Sequence, residues 1–333
     1  MDFQAAASRL SGWTGGDRNL RFLFLYDGGG GALTSHLDTF SGSVLWDMPS
    51  APIAAITQVS FTGGLLLASF PSKDNALAML KDAEFQSHLN ANCQELMLIA
   101  MPSPSGDDAA TPIVTGVMSS VLSLLRRLGV ISSSEKLCAR ADGTTIADGF
   151  PADWHAKTGA RKEVPEAICR DIDRSKEPIY MLNMVRFKSK EHEKIYKGPD
   201  YGQPTVLLLM KMGGRIAWKA DVGLQTLIDT RGFGDFHEAF LIQYPSLRMF
   251  AEFVSSDAYM SMNDVRVQAM DGGLLHWTPF QPLPQPAAHK KPPFLPSVFR
   301  VVVYLLSASL GIRFLHVVFH WILKRVVSDD GEL

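Results

Sequence analysis

The stretch FPSKDNALAMLKDAEF, residues 70–85, returns later in the chain as YPSLRMFAEFVSSDAY, residues 244–259. Both copies open with an aromatic residue and Pro-Ser and continue with apolar residues at helical spacing. Upstream, SGSVLW (41–46) matches GGRIAW (213–218), which keeps one Gly and one Trp in register. The matched blocks keep their order, so the sequence predicts one structural unit that is present twice.

Each unit has the pattern strand, helix, strand, strand, helix, strand. Gly213–Gly214 suits a turn that needs positive φ, and Pro245–Ser246 suits the end of a strand and the start of a helix. This order is the ferredoxin-like, or split βαβ, arrangement. The predicted fold class is therefore α+β, with two ferredoxin-like (βαββαβ) units forming a pseudodimeric α/β barrel, plus a C-terminal hydrophobic helix or helical hairpin.

The repeat and the composition of the remaining sequence divide the chain into five segments. We predict a first ferredoxin-like unit at 20–101, a connecting region at 102–177 with an apolar helix at 111–129, a second unit at 178–280, a Pro-rich tether at 281–296 and a membrane-attaching helical segment at 297–327. The connecting region carries no residue pattern that indicates chemistry.

Composition limits the class of function. The chain has 333 residues, 46% of them apolar, which is enough for about two folded domains. The chain has 32 basic and 34 acidic residues. Its net charge is therefore close to zero and does not favour nucleic acid as a partner. The three cysteines are far apart and show no metal-ligand spacing. We therefore predict a reduced, intracellular protein with no metal and no cofactor.

Five blocks of the second unit carry a resemblance to a known family: MLNMVRF (181–187), GGRIAW (213–218), YPSLRMF (244–250), SDAY (256–259) and then Arg266 with Ala269. The unit resembles an uncharacterised domain family of the dimeric α/β-barrel (ferredoxin-like) superfamily. The resemblance implies that two such units pair through their sheets and enclose a cavity for a small ligand. Here one chain would supply both halves. Relatives include cofactor-independent oxygenases, isomerases and cyclases.

The second unit is the better candidate for chemistry. In the first unit Asn92 takes the place of Arg266, and Phe85 takes that of Tyr259. The second unit also departs from the family pattern, since two expected basic residues and an expected histidine are replaced, by Gln243, Leu247 and Val265.

Six residues of the second unit are candidates for the site. We predict ligand contacts from four of them and catalytic roles for two: Asn183, Arg186, Trp218 and Tyr259 for the ligand, Arg266 and His237 for catalysis. Strand alternation puts Asn183 on the face opposite Leu182. Arg266 would offer a carboxylate or enolate a charged, bidentate donor.

Each of these assignments has a purely structural alternative. Arg266 would pair with Asp264 or Asp257, as most arginines of this kind do, and Trp218 would be ordinary core. His237 has a side chain suited to a general base near neutral pH. No nucleophile accompanies it in a recognised motif.

The C-terminal segment decides the predicted location. Residues 301–323 span about 34 Å as a helix, enough to cross the apolar part of a bilayer. Arg313 lies at the centre, where a charge is costly, and the polar face changes side at Gly311. The sequence thus predicts membrane attachment, spanning or interfacial, with the main domains in the cytoplasm. The alternative is a helix that covers the barrel in water.

Together these features predict a membrane-attached tandem α/β-barrel protein that binds a small, largely apolar molecule. Its activity would be that of a metal-independent oxygenase, isomerase or cyclase. The alternative is a non-catalytic module that binds a lipid or a protein partner at a membrane.

Overall fold

The structure is a computed structural model. It describes residues 1–15, 18–28, 33–49, 64–102, 106–129, 132, 137, 140–158, 160, 162–172, 178–220 and 223–278. The chain divides into two compact units, Met1–Leu283 and Pro284–Leu333, and every described residue belongs to the first. The predicted tether at 281–296 and membrane segment at 297–327 lie outside the described residues. No helix within the described ranges has the length and apolar character needed to cross a membrane.

The unit Met1–Leu283 is a mixed α+β structure with two antiparallel sheets, which confirms the α+β part of the predicted fold class. Its first half runs from the N-terminus to residue 101. The elements in chain order are α1 (Phe3–Ser11), β1 (Arg18–Gly28), α2 (Leu33–Thr39), β2 (Ser43–Pro49), β3 (Gly64–Ser72), α3 (Lys73–Lys81), α4 (Ala83–Asn92) and β4 (Cys93–Met101). The four strands are hydrogen-bonded in the order β2-β3-β1-β4.

The second half begins at residue 179 and repeats this arrangement. Its elements are β5 (Ile179–Phe187), α8 (Lys190–Lys197), α9 (Gly202–Lys211), β6 (Arg215–Ala220), β7 (Gln225–Asp229), β8 (Glu238–Tyr244), α10 (Leu247–Ser255), α11 (Asp257–Ala269) and β9 (Met270–Thr278). The sheet order β6-β8-β5-β9 matches that of the first half. The sequence pattern predicts an apolar strand at 179–187 and two middle strands at 215–220 and 238–244, and the structure confirms all three.

Strand β7 crosses from the second half into the sheet of the first. It pairs antiparallel with β4, from Met97 opposite Asp229 to Ala100 opposite Gln225. The first sheet therefore has five strands, and the last of them comes from the second half. This strand was not predicted, because the five residues QTLID give too short a pattern between two turns.

Matching helix caps explain the repeated sequence. Ser72 accepts a hydrogen bond from the Asn75 backbone N–H at 3.2 Å and begins α3. Ser246 accepts one from Met249 at 3.2 Å and begins α10. A second cap begins the following helix in each half, Asp82 for α4 and Ser256 for α11. Each repeat is thus a strand, a capped helix and a second capped helix.

The glycine pair before β6 has two separate roles. Gly213 has φ +88°, a conformation that side chains rarely adopt. At Gly214 a Cβ atom would lie 2.3 Å from Leu209 Cδ1, so a side chain there would collide with α9. The predicted turn with positive φ is confirmed at Gly213.

The two sheets pack face to face, and their outer faces are covered by helices. The layer between the sheets is a buried apolar cluster with members from both halves, among them Leu23, Leu25, Leu65, Met97, Ile99, Leu182, Met184 and Leu241. A second cluster lies between the first sheet and its helices, and a third between the second sheet and its helices. The structure therefore contains two helix-facing layers and one inter-sheet layer.

The connecting region is folded and packs against the second half. It contains α5 (Gly106–Arg127), a short 3-10 helix (Ile146–Asp148), α6 (Trp154–Thr158) and α7 (Val164–Asp171). Helix α5 packs against β6. Trp154 is buried and donates from Nε1 to the Val254 carbonyl at 2.8 Å. This region covers the helices of the second half.

Candidate ligand-binding site

Arg266 lies on α11 and is only 7% exposed. Its Nε donates to Asn263 Oδ1 at 2.8 Å, and its Nη2 donates to the Thr158 carbonyl at 2.6 Å. Nη1 has only a weak contact, 4.0 Å, with the Met270 sulfur. The guanidinium is therefore held in place on two of its three nitrogens.

Three buried tyrosines surround this guanidinium. Tyr201 hydrogen-bonds to Tyr196 and to Tyr259, and the rings of Tyr196 and Tyr201 lie 4.8 Å apart. Burial raises the pKa of Tyr201 well above its usual value, so its phenol keeps its proton. The three phenols thus form a connected polar group within an otherwise apolar layer.

The charge of Arg266 lacks a carboxylate counter-ion within the described ranges. The predicted alternative, an ion pair with Asp264 or Asp257, is not formed, and Asp257 instead accepts from the Ala141 backbone N–H. Burial alone would lower the pKa of Arg266, but the nearby phenols outweigh it and raise that pKa overall. A buried cation without a paired anion is costly, and this cost would be relieved by an anionic ligand.

Glu238 adds a buried carboxylate to the same layer. It is 4% exposed and lies 3.3 Å from Lys219 Nζ and 3.8 Å from Lys197 Nζ. Its charge contributes to raising the pKa of the Tyr196 phenol, after the larger effect of burial. Glu238 and Arg266 therefore both act on the pKa of the Tyr196 phenol, which Glu238 raises and Arg266 lowers.

The connecting region supplies part of the site. Asn263 donates from Nδ2 to the Lys157 carbonyl at 2.6 Å, next to the Thr158 carbonyl that binds Arg266. Backbone carbonyls at the C-terminal end of α6 therefore hold Asn263 and Arg266 of α11 in place. Sequence reasoning assigned no chemistry to 102–177, because backbone carbonyls carry no residue signal.

Three of the six predicted residues are buried on the helix-facing side of the second half, and two of them, Tyr259 and Arg266, interact electrostatically. Tyr259 and Arg266 are both buried beneath α11. Asn183 is buried and donates to the Met181 carbonyl at 3.1 Å. Its alternation with Met181 places it on the helix-facing side of β5, the side of Arg266.

The other three predicted residues lie elsewhere. Trp218 packs against the inter-sheet cluster, on the opposite face of the sheet, and its buried Nε1 has no hydrogen-bond partner among the residues that the structure describes. Arg186 pairs with Asp271 at 2.9 Å and donates to the Phe233 carbonyl. His237 accepts from the Phe187 backbone N–H at 2.9 Å and stacks on the Phe187 ring. Asn183 and Trp218 therefore lie on opposite faces of the second sheet.

The corresponding layer of the first half lacks this polar group. Phe85 is fully buried and contacts Phe3 of α1, and Asn92 donates to the His88 carbonyl at the end of α4. Within the described ranges, no three His, Cys, Asp or Glu side chains are arranged to hold a metal ion. The sequence indicated that the polar candidate residues belong to the second half and not to the first, and the structure shows the same difference between the two halves.

Comparisons with known proteins give only distant likeness. No family model and no curated protein matches the sequence. A protein of unknown function from Rhodopseudomonas palustris is 24% identical and matches 37% of this chain and 95% of its own, with a TM-score of 0.31. A candidate monooxygenase from Lactobacillus acidophilus NCFM is 7% identical over 79% of this chain and 93% of its own, with a TM-score of 0.32. An anthrone oxidase-like protein is 10% identical over 80% of this chain and 92% of its own, with a TM-score of 0.38.

Proposed function

We propose that the helix-facing layer of the second half binds a small, largely apolar molecule that carries one negatively charged or acidic oxygen. The observation that carries this proposal is the buried Arg266 guanidinium, which is fixed by Asn263 and Thr158 and has no described carboxylate partner. The surrounding aromatic and aliphatic side chains would accept the apolar part of the ligand.

The reaction that fits this group passes through an enolate or phenolate. A fixed guanidinium and phenol donors stabilise negative charge that develops on oxygen, and Glu238 supplies a carboxylate for proton transfer. These features support a metal-independent isomerase or cyclase, or an oxygenase that uses molecular oxygen as its oxidant. Consumption of oxygen by the protein with its ligand would distinguish the oxygenase from the other two.

The two halves serve as the two members of a pseudodimeric α/β barrel of ferredoxin-like units in this proposal. Support comes from the equal strand orders, β2-β3-β1-β4 and β6-β8-β5-β9, and from the crossing of β7 into the first sheet. The ligand-binding function would belong to the second half alone, because the first half has an apolar layer in its place.

The test is to identify small molecules retained by the full-length protein purified in mild detergent, by untargeted mass spectrometry. The test variant is Arg266→Met. Arg140→Met is a matched control, since Arg140 is also buried, 8% exposed against 7%, but is bonded within the connecting region and to Ser255. A compound held by wild type and by Arg140→Met but lost in Arg266→Met supports the site. Equal bulk lipid in all three contradicts it.

A second candidate function is a non-catalytic module that binds a lipid or a protein partner at a membrane. The apolar packing between the sheets favours it, because Leu, Met and Ile side chains from both halves fill that layer. In both candidate functions, residues 297–327 would attach the protein to the membrane. Flotation of the full-length protein with lipid vesicles tests the attachment, with Leu305→Lys and Leu306→Lys together expected to abolish it.

A further inference from the structure

Helix α5 packs against the second half, called the body below, mainly through small and polar residues. Thr115 is buried and donates from Oγ1 to the Ile216 carbonyl of β6 at 3.2 Å. Arg126 donates from Nη1 to the Lys211 carbonyl at 2.6 Å, and Ser119 and Leu122 are buried between them. A helix of a protein in water normally turns its apolar residues inward. Here the covered side of α5 carries polar residues together with Leu122, and a row of aliphatic residues is left outward.

The outward side of α5 is a continuous aliphatic stripe. Its six residues are between 42% and 69% exposed, and they are Ile113, Val114, Val117, Val121, Leu124 and Leu128. Single exposed apolar residues need no explanation, but a row of five on one helix with a sixth directly after it indicates a surface that is covered in the functional protein.

The spacing within the stripe indicates what covers it. Five residues follow one another at intervals of three, four, three and four, with Val114, Val121 and Leu128 at the a positions of a heptad and Val117 and Leu124 at the d positions. The residues bound to the body occupy b and f positions, which face away from the seam of a coiled coil. The body thus holds α5 in the orientation in which a helical seam is presented to a second helix.

We propose that α5 pairs with α5 of a second copy of this chain, so that the protein is a homodimer with a two-fold symmetric helical seam. Two of the three a positions are the β-branched Val114 and Val121, and one of the two d positions is Leu124, which are the residue types that favour two-helix pairing. A two-fold interface requires a surface that fits itself. Between 113 and 128 the only charges are Arg126, which is bound to the body, and Arg127 at one end, so the seam carries no repulsion at its centre.

The area of the stripe matches the centre of a stable interface. At about 100 Å² of apolar surface for a fully exposed Val, Leu or Ile side chain, its exposed fractions amount to roughly 350 Å² on each copy. A standard interface buries about 800 Å² on each partner, of which somewhat more than half is apolar. The stripe thus supplies most of the apolar part, and flanking residues such as Met118, Ser120, Leu125 and Arg127 supply the rim.

The first test is the mass of the full-length protein in mild detergent, measured by light scattering with the detergent contribution subtracted. The test variant is Val117→Glu with Leu124→Glu. The control is Ile195→Glu with Val267→Glu, two residues that are 46% and 47% exposed on other helices. We expect a dimer for wild type and control and a monomer for the seam variant. A monomeric wild type, or a dimer that survives in the seam variant, overturns the proposal.

The second test is disulfide formation at Val121→Cys, with Val267→Cys as control. Val121 lies near the middle of the stripe, so it meets its own copy whether the helices run parallel or antiparallel. Val114→Cys would cross-link to itself only in the parallel arrangement. We expect rapid disulfide-linked dimers from Val121→Cys and none from the control.

If the protein is instead monomeric, and the double Glu variant loses binding to phosphatidylcholine and phosphatidylserine vesicles, the stripe faces a bilayer and the dimer is excluded.

Discussion

The Arg266 guanidinium donates to the Thr158 carbonyl oxygen at 2.6 Å across 108 residues of sequence. This bond joins the last helix of the second half to the end of α6 in the connecting region. Asn263 repeats the connection one turn earlier through the Lys157 carbonyl. The candidate site is therefore assembled from two parts of the chain, and neither part contains it alone.

The first prediction concerns the stability of Arg266 variants. Arg266→Met leaves the Asn263 and Thr158 oxygens without their donor, and it also removes a buried charge. We expect the free energy of unfolding to fall by about 1–3 kcal/mol. Arg266→Lys keeps the charge but loses the planar fork that reaches both acceptors, so it should be the less stable of the two. Urea unfolding of the three proteins measures this order. A Lys variant as stable as wild type would show that charge, not geometry, is what the site needs.

Much of the fold was accessible from the repeated sequence. The caps Ser72 and Ser246 stand at matched positions because Pro-Ser ends a strand and begins a helix in both halves. Strands 179–187 and 238–244, IYMLNMVRF and EAFLIQY, are rich in apolar residues, as short buried strands require. These features are local, so a pattern in the sequence can report them.

The site was only partly accessible for the opposite reason. Arg266 and Tyr259 belong to the sequence blocks that carry the family resemblance, whereas Tyr196 and Tyr201 lie outside those blocks and meet Arg266 only after α8 folds onto α11. Trp218 was grouped with Arg266, although the alternation of strand β6 turns it to the inter-sheet layer. Contacts between distant segments, and the side to which a bulged strand points, are set by packing of the whole unit. Residues 216–218 carry such a bulge.

A second prediction tests how firmly the connecting region is attached. Arg140 is buried, and it donates to the Gly149 carbonyl at 2.8 Å, to the Thr145 carbonyl at 3.2 Å and to Ser255 Oγ at 2.8 Å. Arg140→Met leaves these acceptors unpaired, so we expect the free energy of unfolding to fall by about 2–4 kcal/mol. Urea unfolding measures the change. Exposed Arg127→Met is the control and should stay within about 0.5 kcal/mol of wild type; equal losses in both would refute a special role for Arg140.

A third prediction concerns the join between the two halves. Arg231, just after β7, forms ion pairs with Asp27 of β1 and Glu95 of β4. Asp27 is largely buried, so Arg231→Met should cost about 3 kcal/mol of unfolding free energy by leaving that carboxylate without the guanidinium. Adding Asp27→Asn to Arg231→Met should restore a large part of the loss. A double-mutant cycle in urea gives the coupling energy, and additive losses from the two changes would mean that the pair does not hold the halves together.

The last prediction is loss of stability in strong alkali. Burial, assisted by Asp47 and Cys93, raises the pKa of Tyr26 to about 12, whereas an unfolded tyrosine titrates near pH 10. Between these two values the unfolded chain has released the proton that the folded chain still holds. Unfolding then releases protons, and stability falls as pH rises from about 10 to about 12. Burial also raises the pKa values of Tyr180 and Tyr244, which steepens the loss.

Tyr26→Phe removes one of these protons without removing the buried ring. The loss of unfolding free energy between pH 8 and pH 11 should therefore be smaller in Tyr26→Phe than in wild type, as measured by urea unfolding at both pH values. At pH 8, where the phenol is protonated in both states, the pH-dependent difference between the two proteins is absent, so that measurement isolates packing and hydrogen bonding from ionisation. If both proteins lose the same free energy on going to pH 11, Tyr26 is ionising normally in the folded state and is not held in its neutral form by burial.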